Sequence, residues 1–158
     1  SKNIVTEAIA SGRLCSDAVN YSVTALTSTT ATLSTTPVGD CLVAGDEFML
    51  INLQGTASAY GNVGNYETLL IASVSTNTIT FSTAKTKYYG DGASDDTNLG
   101  TATTNQRVML QRIPNYTNVT VAVGATLTAD NWIGTKGGIL FFRANGTLTV
   151  NGAISMSG

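Results

Sequence analysis

Apolar and polar residues alternate with a period of two along most of this chain, and no segment carries a helical period. Tyr21, Val23 and Ala25 fall on one face of a strand beginning near Asn20. In the next strand Ala31 and Leu33 alternate with Thr30, Thr32 and Ser34. Pro37, Gly39 and Asp40 mark a turn before Cys41. The run Glu47-Phe48-Met49-Leu50-Ile51-Asn52-Leu53 is apolar on both faces, which predicts a central, covered strand. A glycine-rich loop over 55–65 precedes a hairpin of strands 67–74 and 78–81. Residues 84–106 form a polar excursion of a length that compact domains keep for functional or mobile loops. Strands resume over 107–111, stop at Pro114 and continue over 117–123, 125–129 and 138–144, with a loop around Trp132.

The chain closes on two Asn-Gly units, Asn145-Gly146 and Asn151-Gly152, each followed by alternating apolar positions. Asn-Gly in this setting is a strong short-range turn signal. Leu148, Val150, Ile154 and Met156 supply two rungs of a solenoid at most, fewer than the three or so that are stable alone. Two arrangements would shelter them: an antiparallel meander within the domain, or stacking and strand donation between subunits.

The whole reads as all-β, a compact sandwich or distorted barrel of about ten short strands with β-helix-like C-terminal strands. Residues 1–14 form an N-terminal arm or edge strand, and 15–158 a single β domain with a sub-boundary near 84–106.

Composition sharpens this reading. Only 11% of the 158 residues are charged, and Thr fills roughly one position in six. Uncharged β-branched residues suit a pleated surface and leave little repulsion to keep edge strands apart. A net charge of −2 with scattered Lys and Arg gives no footprint for nucleic acid. No run reaches the length of a transmembrane helix, so membrane insertion is not expected. Cys15 and Cys41 are expected to form one disulfide, which places the protein outside the cytosol, and the start at Ser1 suggests a removed signal peptide or an excised fragment. Sequons at Asn20, Asn115, Asn118 and Asn145 are candidate glycosylation positions in a chain rich enough in Asn and Thr to produce several by chance.

Two resemblances add to the residues. The pattern Ala44-Gly45-Asp46, an apolar strand, a strand with Ile71 and Val74, then Thr78-Ile79-Thr80-Phe81 resembles small β-barrel modules of phage-tail and surface proteins. The segment from Met109 through Ile113-Pro114-Asn115-Tyr116, Gly124-Ala125-Thr126-Leu127 and Gly137-Gly138-Ile139-Leu140-Phe141-Phe142 to Gly152 resembles an N-terminal β-rich module of large secreted bacterial surface proteins. That resemblance implies an extracellular location and a structural use, ahead of a Gly-rich, β-helix-like or lectin-like region. This chain departs from it by stopping at Gly158.

Candidate chemistry is sparse. Without histidine, Ser-His and Cys-His nucleophilic sites and histidine metal sites are excluded. Asp46 and Glu47 are neighbours, and in a strand neighbours point to opposite faces, so no carboxylate pair is expected to converge and no enzymatic activity is expected. Asp91, Asp95 and Asp96 are candidate oxygen ligands for Ca²⁺, in a spacing unlike an EF-hand. Tyr60, Tyr66, Tyr88, Tyr89 and Trp132 fall in loops or at strand starts, where aromatics stack on sugar rings or plug barrel ends.

The leading expectation is an extracellular structural subunit that forms a homo-oligomer or homopolymer through edge strands. Ile4, Val5, Ala8 and Ile9 of one subunit would fill a groove on the next, with Leu148, Val150, Ile154 and Met156 at the other contact. The alternative is an adhesin or carbohydrate-binding surface module using the 88–96 loop, with Tyr88, Tyr89 and Trp132 against the glycan.

Overall fold

The computed structural model describes residues 2–3 and 12–156. Among them the protein is all-β, in two architectures joined at Ile113–Pro114. Six strands close a barrel: β2 (Asn20–Leu26), β3 (Thr30–Leu33), β4 (Glu47–Gln54), β5 (Tyr66–Ser75), β6 (Thr78–Phe81) and β7 (Arg107–Arg112). They pair antiparallel in the order β2-β3-β6-β5-β4-β7, with β7 returning to β2. The alternation read from the sequence points Tyr21, Val23, Ala31, Leu33, Phe48, Leu50, Ile71, Ile79, Phe81, Val108 and Leu110 into one core. The Phe48 and Phe81 rings meet there at 5.2 Å. Each large side chain buried in this way contributes about 1.5–3 kcal/mol of transfer free energy.

β4 is the covered strand that its apolar run predicts, lying between β5 and β7. β7 is buried on both faces for a different reason. Val108 and Leu110 point inward, while Met109 and Gln111 point outward beneath the segment 129–142. That segment is tied down by Gly137 N–H on Met109 Sδ at 3.2 Å and by Gln111 Nε2 on the Ile139 carbonyl at 3.2 Å.

The excursion 84–106 is not a domain boundary in the fold. β7 follows it in sequence and completes the barrel, so the loop is an insertion within the barrel's own chain. Its anchors are polar and buried: Asn52 Nδ2 donates to Tyr89 O and Gln106 Oε1, and Asn62 Nδ2 to the carbonyls of Gly90 and Gly92.

Beyond Pro114 the strands are short and parallel. β8 (Asn115–Tyr116), β9 (Val119–Val121) and β10 (Thr126–Leu127) form one turn of a solenoid, and β11 (Arg143–Ala144), β12 (Leu148–Val150) and β13 (Ala153–Ile154) form the next. β11 lies on β8, β12 on β9 and β13 on β10, all parallel. β1 (Lys2–Asn3) lies parallel on the other edge of β9, giving the order β1-β9-β12. The N-terminal segment thus supplies an edge strand, while Ile4, Val5, Ala8 and Ile9 lie outside the described residues.

Cys15 and Cys41 are joined in a disulfide, with Cα atoms 5.5 Å apart. The bridge ties the segment ahead of β2 to the connection between β3 and β4, where Arg13 also pairs with Asp46 at 2.6 Å.

Candidate functional site

The second turn of the solenoid presents an unfinished surface. Register sets Leu148 on Val119 and Val150 on Val121, so side chains of like direction stack from one turn to the next. Val119 and Val121 are 0% and 1% exposed, but Leu148 and Val150 are each 44% exposed. Ile154, stacked on Leu127, and Met156 are similarly open. β9 is buried because β1 lies on one side of it and β12 on the other; among the described residues β12 has β9 only.

The main chain shows the same asymmetry. Val119 N–H donates to Thr147 O at 3.0 Å and Asn151 N–H to Val121 O at 2.8 Å, so the odd-numbered residues of this segment face β9. In a strand, successive peptide groups point alternately to the two sides, so the N–H groups of Leu148 and Val150 point away from β9. β12 carries no charge, proline or bulge, the devices that normally blunt an exposed edge.

The Asn-Gly units do something other than close hairpins. The favoured two-residue hairpin turn of this sequence requires φ > 0 at both positions, and none of Asn145, Gly146, Asn151 or Gly152 has it. The strands flanking each unit pair with the turn below rather than with each other. The glycines are there because the turns stack closely. A Cβ on Gly146 would fall 2.4 Å from Asn118 Oδ1, and one on Gly152 would fall 2.2 Å from Ala125 O and 2.3 Å from Ala122 O. Asn118 reinforces the stack by accepting the Thr147 N–H on its side-chain oxygen at 2.7 Å.

Where barrel meets solenoid, charged residues gather. Arg143 grips Glu47 through Nε at 2.8 Å and Nη2 at 2.6 Å, and Asn115 Nδ2 donates to the same carboxylate at 3.2 Å. Tyr116 O–H donates to Asp17 at 2.6 Å, and Arg112 pairs with Asp17 at 3.4 Å. Asp46 and Glu47 both border a cavity of about 290 Å³, and their carboxylates are held by different arginines, Arg13 and Arg143. Asp46 lies just ahead of β4 and Glu47 is its first residue. Asp46 is held there by Arg13 and the Val43 N–H, Glu47 by Arg143 and Asn115.

The Arg143 hydrogen bonds hold the Glu47 carboxyl below the usual carboxylate range, with Asn115 adding to the effect and partial burial opposing it. A lowered folded-state pKa favours the ionised form on folding. Its stabilisation is therefore present above the ordinary Glu pKa and is lost as pH falls through the folded value. Acidification is expected to loosen the second turn before the barrel, read as faster amide exchange over 143–156 at acid pH after correction for intrinsic rates. In Glu47→Gln this acid-specific loosening is expected to be absent.

No protein-family model and no curated protein matches the chain. Three solved structures are similar to it, all with low scores. The tailspike protein gp49 from Pseudomonas phage LKA1 is 18% identical, with a TM-score of 0.35, over 85% of this chain and 20% of that one. The Pseudomonas phage phi297 tailspike gp61 is 15% identical, with a TM-score of 0.35, over 89% and 19%. The gp54 tailspike of Acinetobacter baumannii bacteriophage AP22, solved in complex with a capsular saccharide, is 16% identical, with a TM-score of 0.37, over 87% and 24%. This chain spans about a fifth to a quarter of the length of those proteins.

The remaining sequence candidates scatter. Tyr89 is not available for glycan stacking: its ring is fully buried in the barrel core and its O–H donates to Glu67 at 2.9 Å. Tyr88 is exposed, with the Lys85 ammonium 5.2 Å from its ring, and Trp132 is exposed on the 129–142 segment. Tyr60 and Tyr66 are exposed as well. Asp91 accepts from Thr97 and Asn98, Asp95 from the N–H groups of Gly92 and Thr97, and Asp96 from Tyr89 N–H while pairing with Lys85. Among the described residues no three His, Cys, Asp or Glu side chains are grouped to hold a metal. Asn20 is 4% exposed and its amide is bonded to Asp130, so that sequon is closed to modification in the folded protein. Asn115 and Asn118 use their side chains at the junction and in the stack, and Asn145 is exposed at a corner.

Sequence reasoning had Asn118 only as a sequon, missed Arg143, and expected β-helix-like C-terminal strands without assigning which strand stacks on which. A signal was present: Val119-Thr120-Val121 and Leu148-Thr149-Val150 are near copies, one solenoid turn apart.

Proposed function

We propose that the chain is an extracellular structural subunit that associates with copies of itself through the open edge of its second solenoid turn. The observation that carries this is the pairing of half-exposed Leu148, Val150, Ile154 and Met156 with an uncharged strand edge, Leu148 and Val150 lying directly above buried Val119 and Val121. β1 and β12 flank β9 and run in the same direction. Translation of one copy along the stack would bring β12 of the first against β1 of the second with parallel sense retained. Such a head-to-tail contact is heterologous and does not close on itself, so it builds a line of subunits. The Cys15–Cys41 disulfide supports a location outside the reducing cytosol.

Light scattering across a dilution series tests the proposal on the parent chain and on Val150→Lys with Ile154→Lys. The parent is expected to gain mass with concentration. The double variant is expected to stay monomeric with an unchanged melting temperature, because both side chains are already half in water. A parent chain that is monomeric throughout the series defeats the proposal.

A further inference from the structure

Asparagine followed by glycine carries a covalent chemistry of its own. With no Cβ to shield it, the glycine main-chain nitrogen can reach the asparagine side-chain carbonyl. Asn145-Gly146 and Asn151-Gly152 are the two such pairs in the chain. Both asparagines are exposed, and neither side-chain amide has a hydrogen-bond partner among the described residues. What differs is how each glycine N–H is held. Gly146 N–H donates to Thr117 O at 2.7 Å, and the next amide, Thr147 N–H, is fixed on Asn118 Oδ1 at 2.7 Å. Gly152 N–H reaches Val121 O at 3.1 Å and shares that carbonyl with Asn151 N–H, which takes it at 2.8 Å. The longer, shared bond is the weaker hold.

The reaction needs only water. Gly152 N gives up its proton to solvent and bonds to Asn151 Cγ, and ammonia leaves, closing a succinimide ring. Water then opens the ring at one of its two carbonyls. Attack at Cγ leaves aspartate; attack at the main-chain carbonyl leaves isoaspartate, with the chain rerouted through the side chain and lengthened by a carbon. A Gly152 N–H aimed at Val121 O cannot turn toward Cγ, so the ring closes only when this corner of the second turn lifts off the first. The stack does not readmit the isoaspartate product. A mere Cβ on Gly152 would lie 2.2 Å from Ala125 O and 2.3 Å from Ala122 O, which leaves no room for a longer backbone at that corner.

We infer that Asn151-Gly152 is a self-modification site gated by the stacking of the second turn: it deamidates when the turn opens, ahead of Asn145-Gly146, and the isoaspartate formed keeps the turn from closing again. Conversion also sets a carboxylate beside Val150, at the end of an otherwise uncharged strand. On the reading that copies associate through this edge, conversion ends association; the covalent chemistry does not rest on that reading.

The test is incubation of the dilute full chain in mildly alkaline buffer, folded and in urea, with peptide mass mapping over time. In the folded chain Asn151 is expected to gain the mass of amide-to-acid conversion before Asn145 does, and about tenfold more slowly than in urea, equivalent to an opening free energy of about 1.4 kcal/mol. Asn151→Gln, whose longer side chain does not form the five-membered ring, should show no conversion at that position. Amide exchange on the converted chain should show 143–156 open with β2 to β7 still protected, whereas Asn151→Asp, which brings the charge without the extra backbone carbon, should keep 143–156 protected. Equal rates with and without urea overturn the inference, as does conversion of Asn145 first. So does a folded chain that never converts over many times the period needed in urea, or an isoaspartate-containing chain that stays protected over 143–156. Light scattering separates the two readings: fresh parent and aged Asn151→Gln should gain mass with concentration and aged parent should not, while a fresh parent that is monomeric defeats self-association alone and leaves the mass and exchange results to decide the modification.

Discussion

Replacing Tyr89 with alanine is expected to destabilise the protein by about 3–5 kcal/mol, the range for emptying a large aromatic site in a close-packed core. The residue is the link between the long excursion and the barrel. Its ring is fully buried among the core side chains, its N–H donates to Asp96 at 3.0 Å, and its carbonyl accepts from Asn52 at 2.9 Å. Removal of the ring would therefore empty the barrel end and free the loop together. Urea denaturation should show the loss of stability, and proteolysis should shift to the 84–106 segment. Tyr89→Phe keeps the ring and removes only the hydrogen bond to Glu67, a change of about 1 kcal/mol.

The same residue sets an alkaline limit. Burial, followed by the hydrogen bond to Glu67, pushes the Tyr89 phenol well above its ordinary value. The neutral phenol is thus favoured by folding, and its contribution is complete below about pH 10, the unfolded Tyr value, and falls as pH rises above that point. Tyr89→Phe should lose part of the alkaline destabilisation that the parent shows. The rest is expected to remain with Tyr116, whose phenol is raised in the same direction by burial and Asp17.

The second large effect is expected at Gly152. Substitution by valine would place a Cβ against two carbonyl oxygens of the turn below, Ala125 O at 2.2 Å and Ala122 O at 2.3 Å. Main-chain oxygens of a stacked turn cannot swing aside as a flexible side chain can. The second turn must lift, breaking the hydrogen bonds of Asn151 and Gly152 to Val121 O and of Ala153 to Ala125 O. A loss of about 2–4 kcal/mol, confined to residues 143–156, is the expected result. Amide exchange should show these residues opening while β2 to β7 remain protected. The exposed corner Gly124, where a Cβ meets nothing within 4 Å, serves as the comparison; there only its positive φ of 78° opposes substitution. Equal damage at both positions would argue against close stacking as the role of Gly152.

The barrel was legible because its strands are long and their burial is one-sided or two-sided in ways that alternation records. Tyr21 and Val23, or Ile79 and Phe81, announce an inward face, and the run from Phe48 to Leu50 announces a covered strand. The solenoid was legible as β-helix-like C-terminal strands, but the partner of each strand was not. Two- and three-residue strands carry too little periodicity to reveal partners, and Asn-Gly points by default to a local turn. The partners of β12 and β13 lie a full turn away, so the glycines answer to backbone approach from below rather than to φ. The junction was invisible for a related reason. Glu47 and Arg143 are distant in sequence, and the assumption that Asp46 and Glu47 share a strand failed at the strand's first residue. Tyr89 shows how weak a loop position is as evidence of exposure: a residue in a polar excursion became part of the core.

The central claim is that β12 awaits a further parallel strand. Hydrogen exchange at the amides of Leu148 and Val150, which point away from β9, tests it most directly. At low protein concentration both should exchange freely. At high concentration both should become protected, while the Asn151 amide, already bonded to Val121 O, changes little. Free exchange of Leu148 and Val150 at every concentration would contradict the account and leave the second turn an open edge without a partner strand.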